Sequence, residues 1–150
     1  MVLVVIGGLA DAFDGIVARV QQKESRYGDF LDHFADRVAD LSLAAGWLLG
    51  NGVRQELTIA TLMMVMLSGY VGTQIEATWK EREYATLGRG EFVLALIVFP
   101  IISYIVGANG WRDARLLTFT TSECLALLMA AFALLGIIQR LAVAARMDRA

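Results

Sequence analysis

Apolar residues fall in five long runs, at roughly Met1–Gln22, Gly28–Gly50, Leu57–Trp79, Phe92–Ala108 and Cys124–Ala145. Four polar or glycine-bearing links separate them: Lys23–Tyr27, Asn51–Glu56, Lys80–Glu91 and Asn109–Glu123. A helix needs about 20 residues to cross a hydrocarbon layer about 30 Å thick. Backbone in contact with lipid must also satisfy its own hydrogen bonds, which favours helices. The pattern therefore predicts an all-α fold, a polytopic transmembrane bundle of five spans. These spans use most of residues 1–150 and leave no room for a second, soluble domain. A single proline, Pro100, interrupts them.

Composition supports this class. The chain is 57% hydrophobic and 19% charged, with a mean hydropathy of +0.59. Soluble domains carry about a quarter charged residues and just under half apolar ones. This balance argues against a disordered chain, a disulfide-rich secreted domain and a nucleic-acid-binding module. The net charge of −2 points to no polyanionic partner. Cys124, the single cysteine, has no partner for an internal disulfide and reads as a small apolar residue.

Basic residues set the orientation. Arg19, Lys23, Arg26, Lys80, Arg82, Arg89, Arg140, Arg146 and Arg149 fall on the side of the first and third links and the C-terminal tail. Only Arg54, Arg112 and Arg115 fall on the other side. The bias places the C-terminus and the Arg19–Gly28 link in the cytoplasm. Met1 opens directly into Val2-Leu3-Val4-Val5-Ile6, with no basic flank and no clear cleavage site. That start predicts a segment preceding Met1 in the native protein.

The chemistry is concentrated in the first two runs. Asp11, Asp14, Asp29, Asp32, Asp36 and Asp40 all fall in predicted membrane helices or at their ends. Each ionised carboxylate near mid-bilayer costs about 2.5–3.5 kcal/mol on insertion scales. They must therefore face one another, a cavity or a cation. A helix advances about 100° per residue, so positions three or four apart share a face. Asp11 and Asp14 share one with Gly15 and Ala18; Asp32 and Asp36 share one with Gly28. The short Lys23–Tyr27 link makes the two helices antiparallel neighbours, with their acidic faces at the cytoplasmic end. The predicted result is a four-carboxylate site beside small residues that leave space for a ligand. Hard oxygen donors of this kind suit Mg²⁺ or Mn²⁺ rather than zinc, commonly with substrate phosphates completing the shell. Two such ions can bridge a pyrophosphate. Arg19, one turn below, is placed to hold a phosphate at the same mouth.

Together these residues read D-x₂-D-G-x₂-A-R-x₈-G-x₃-D-x₃-D, from Asp11 through Asp14, Gly15, Ala18, Arg19, Gly28 and Asp32 to Asp36. This resembles the signature of the CDP-alcohol phosphotransferases, with all eight fixed positions present at the right spacing. The resemblance covers residues 11–36 in specific residues and the remaining helices in number and polarity only. It implies an enzyme that moves a substituted phosphate from a CDP-linked donor, usually CDP-diacylglycerol, to a small alcohol, releasing CMP. It further implies that Asp11, Asp14 and Asp32 ligate divalent metal, and that Asp36 joins them and acts as general base. Gly15, Ala18 and Gly28 would make room for the nucleotide, with Asp14, Arg19 and Asp32 beside it. The family fold has six transmembrane helices, often in a homodimer, and this sequence lacks a counterpart of the first.

Outside the signature the residues read more plainly. His33 is expected to pack or to hydrogen-bond a carboxylate, and Asp29 and Asp40 to be solvated at helix ends or paired, Asp40 with Arg37. Lys80, Arg82 and Arg89 form a basic cluster suited to headgroups, or more sharply to an acceptor's phosphate. Met63, Met64 and Met66, with Trp47 and Trp79, are expected to pack or to face lipid, and Gly69 and Gly72 to allow close helix approach. A divalent-cation transporter would not need the glycine, alanine and arginine positions. A non-catalytic scaffold would be expected to lose an aspartate, and none is lost.

Overall fold

The computed structural model describes residues 26–79, 89–111, 114–116 and 118–148. Among them are four helices, α1 (Arg26–Gly50), α2 (Gln55–Trp79), α3 (Arg89–Ala108) and α4 (Thr121–Met147). A short antiparallel hairpin, β1 (Arg115–Leu116) with β2 (Phe119–Thr120), precedes α4. The helices coincide with the second to fifth predicted runs, and the first run lies outside the described residues. By length and composition α2 and α4 qualify to cross a membrane, and α3 contributes a shorter apolar stretch, Phe92–Ala108. α1 is not among the qualifying helices, because Asp29, Asp32, Asp36, Arg37 and Asp40 punctuate it.

The chain divides into two units, Met1–Val38 and Ala39–Ala150. The described part of the first is the opening half of α1. The second unit holds a core built from all four helices, with Leu48, Phe99, Ala126 and Met129 among its buried members. Trp47 is buried too, packing rather than facing lipid: its ring lies 5.9 Å from that of Phe99, and Nε1 donates to Ser103 Oγ at 3.1 Å. Ser122 Oγ donates to the same oxygen at 3.3 Å, so one hydroxyl joins α1, α3 and α4. In an apolar surround, satisfied polar contacts of this kind are worth about 0.6–2 kcal/mol each.

Helix ends follow from local chemistry. α1 and α3 both stop at a glycine in the left-handed region, Gly52 at φ 67° and Gly110 at φ 77°. In each, the next residue's N–H returns to a carbonyl of the last turn, Val53 to Leu48 and Trp111 to Val106, both at 3.1 Å. Only glycine adopts this conformation without a Cβ penalty. α4 begins with a capping box: Thr120 Oγ1 accepts from Glu123 N–H, while Glu123 accepts from Thr120 N–H at 2.9 Å. Arg54, in the α1–α2 link, donates from Nε to the other Glu123 oxygen at 2.7 Å and lies 4.8 Å from the Phe119 ring centroid. Glu123 is buried, so this guanidinium neutralises a carboxylate that water barely reaches.

α2 packs chiefly against α4. The two run parallel, with the Thr61 hydroxyl donating to Ala126 O near their starts at 3.5 Å. Further along, Arg140 Nη1 donates to Ser68 O at 2.6 Å and to Ser68 Oγ at 2.8 Å. Side chains on a helix lean toward its N-terminus, which lets Arg140 reach back across to α2. Its stem passes over Gly72, where a Cβ would stand 3.3 Å from Arg140 Nε. Gly72 thus admits a side chain, not a neighbouring backbone. Arg140 belongs inside α4 rather than to a cytoplasmic tail, and removing it from the basic bias leaves the direction unchanged. The outer faces of these helices carry exposed Ile59, Met63, Met66, Phe132, Leu135 and Ile138. Met64 instead packs on the core.

Two stability predictions follow from these joints. Glu123→Ala should cost about 1–3 kcal/mol in denaturation of the detergent-solubilised chain, since it removes both cap and ion pair. Glu56→Ala, at an exposed site in the first turn of α2, should stay within about 0.5 kcal/mol. Gly72→Leu should lower the unfolding temperature by displacing Arg140 from Ser68. Gly46→Leu, with nothing within 4 Å of the added Cβ, should change it little.

Candidate functional site

Within the first unit, α1 opens at Arg26 and carries Gly28, Asp32 and Asp36 at intervals of four. At a rise of about 1.5 Å per residue, Gly28 and Asp36 stand about 12 Å apart along the axis, on one slowly turning face. Gly28 is exposed and Asp36 half-buried. His33 is exposed. Phe30 and Phe34 are exposed as well, their rings stacked with centroids 6.4 Å apart and planes 15° from parallel. Asp32 is placed by its backbone, one helical turn before Asp36.

The other half of the signature, Asp11, Asp14, Gly15, Ala18 and Arg19, lies outside the described residues. So do Lys80 and Arg82, while Arg89 stands at the first position of α3. Among the described residues, no three His, Cys, Asp or Glu gather in a way that could hold a metal ion. The donor set that α1 supplies, two carboxylates one turn apart, is chemically suited to a hard divalent cation. Of the two expectations for Asp40, helix-end solvation or pairing, the first does not hold. It is buried at 5% exposure, and α1 continues for ten residues beyond it to Gly50, so it is no helix-end group. It falls within the second unit.

Several organising residues were not singled out from the sequence. The Thr120-x-x-Glu123 spacing is itself a capping-box signal and was legible. The long-range partners Arg54 with Glu123, Trp47 with Ser103 and Arg140 with Ser68 carry no such local mark.

The described residues are thus almost entirely helical, with two helices long and apolar enough to cross a membrane and aspartates spaced along α1. The comparisons narrow the class. A model of the CDP-alcohol phosphatidyltransferase family matches residues 1–145, and the chain belongs to that family. Two relatives bear the name archaetidylinositol phosphate synthase. The protein of Pyrococcus horikoshii is 28% identical over 117 residues, covering 73% of this chain and 62% of its own length. The protein of Aeropyrum pernix is 34% identical over 104 residues, covering 69% of this chain and 53% of its own. The chain thus spans between about half and three fifths of the relatives it matches. No solved structure matches it.

Proposed function

We propose that this chain transfers a substituted phosphate from a CDP-linked donor to the hydroxyl of a polar alcohol, releasing CMP, in phospholipid biosynthesis. The observation that carries this reading is the eight-position signature from Asp11 to Asp36, standing inside a family match over residues 1–145. The donor is a CDP-linked lipid, CDP-diacylglycerol or its archaetidyl counterpart. Inositol phosphate heads the acceptors, because both relatives are named for an archaetidylinositol phosphate.

Asp11, Asp14, Asp32 and Asp36 are the set that would hold one or two Mg²⁺ or Mn²⁺ ions. When bound, these ions offset charge on the donor's pyrophosphate and on the departing CMP. Asp36 takes the proton of the attacking hydroxyl as that oxygen bonds to the β-phosphorus. The bond from this phosphorus to CMP breaks, and its electron pair leaves with CMP. Gly15, Ala18 and Gly28 keep the faces between the carboxylates open to the nucleotide, and Arg19 steadies it. Lys80, Arg82 and Arg89 supply cationic donors for an acceptor phosphate. The basic bias supports a multi-pass protein with this site at the cytoplasmic face of the bilayer, and the family's habit supports a homodimer.

Asp36→Asn should lower transfer about 10²–10⁴-fold, the usual contribution of a general base. Asp32→Asn should abolish it, with both variants still inserted in membranes. The measurement is CMP release from labelled CDP-diacylglycerol by the full chain in membranes. Full activity in either variant would remove that residue from the site. With a panel of alcohols the same assay should show release with inositol phosphate above glycerol phosphate or serine. EDTA should stop it and Mg²⁺ or Mn²⁺ restore it.

A further inference from the structure

At the end of the second unit where α3 finishes and α4 begins, two large apolar side chains face outward. Trp111 is 67% exposed and Leu116 is 72% exposed. Both take part in backbone hydrogen bonding or pairing. Gly110 fixes the turn that delivers Trp111, and Ala114 N–H closes onto Trp111 O at 3.0 Å. Leu116 pairs with Phe119 across the hairpin, and Arg54 covers the Phe119 ring. Val53 holds the same position after the cap of α1, yet is buried at 5% exposure. The same capping geometry therefore seats one apolar residue in the core and presents the other outward.

An indole exposed to water forfeits a large apolar burial, whereas its N–H is at home where acyl chains meet headgroups. The exposed apolar face of α3, with Leu94, Val98 and Ile105, leads up to Trp111. Exposed Arg115, next to Leu116, supplies a positive charge for lipid phosphate. We infer that Trp111, Arg115 and Leu116 form a preorganised anchor in the headgroup–acyl boundary of the bilayer. The inference rests on the reading that these helices span a membrane. By the basic bias this anchor lies on the outer side, away from the cytoplasmic chemistry.

The test reconstitutes the full chain, and its Trp111→Phe variant, in phosphatidylcholine vesicles brominated near the headgroup end of the chains. Trp47 and Trp79 remain in both, so the difference in emission belongs to Trp111. Most of that difference signal should be lost in brominated vesicles and resist aqueous acrylamide, while CMP release by the variant stays at the parent level. A difference signal quenched by acrylamide but not by bromine overturns the anchor. One insensitive to both overturns it too, by placing a second copy of the chain over the patch. Sodium carbonate extraction separates the two levels of failure. Loss of the parent chain from the vesicles sinks the membrane-spanning reading itself, and retention with an acrylamide-quenched Trp111 sinks the anchor alone.

Discussion

In so apolar a chain, a buried polar side chain on a helix must find a partner, because its apolar neighbours offer none. That constraint organises the second unit. Glu123 is buried, so Arg54 comes from the α1–α2 link to meet it, and the meeting ties that link to the start of α4. Trp47, Ser103 and Ser122 meet for the same reason and join three helices at one hydroxyl. Arg140 bends back to Ser68 because a guanidinium inside α4 has carbonyl and hydroxyl oxygens within reach there. The apolar contacts fill space between these joints, but the joints set which turn of one helix faces which turn of the next.

The same constraint bears on the carboxylates of the first two apolar runs. Aspartates cannot be retained in apolar runs for packing alone, since each would be costly against lipid. In the proposed site, glycine and alanine between them would leave room for a ligand beside the charge. In a CDP-alcohol phosphatidyltransferase that charge has an obvious use beside a pyrophosphate. Asp40 follows the same spacing four residues beyond Asp36 and is buried.

Helix positions were legible because the chain marks its stops. Gly52 and Gly110 provide left-handed caps just past α1 and α3, and both helices end where the apolar runs do. Starts were less legible: the apolar run begins at Cys124, but the helix begins at Thr121, because its first turn is the polar capping box. The hairpin Arg115–Thr120 was missed, as two-residue strands leave no periodicity to read. The signature from Asp11 to Asp36 was legible in full, since spacing along a helix is a local property. What the sequence did not reveal was pairing at a distance: Arg140 reads as one more orientation charge until Ser68 is seen beside it.

The Arg140–Ser68 contact also bears on how the molecule can move. Sliding α4 past α2 by one turn would shift it about 5.4 Å and strand a guanidinium among apolar side chains. α2 and α4 therefore behave as one stiff beam. Movement within the second unit is left to the elements around that pair.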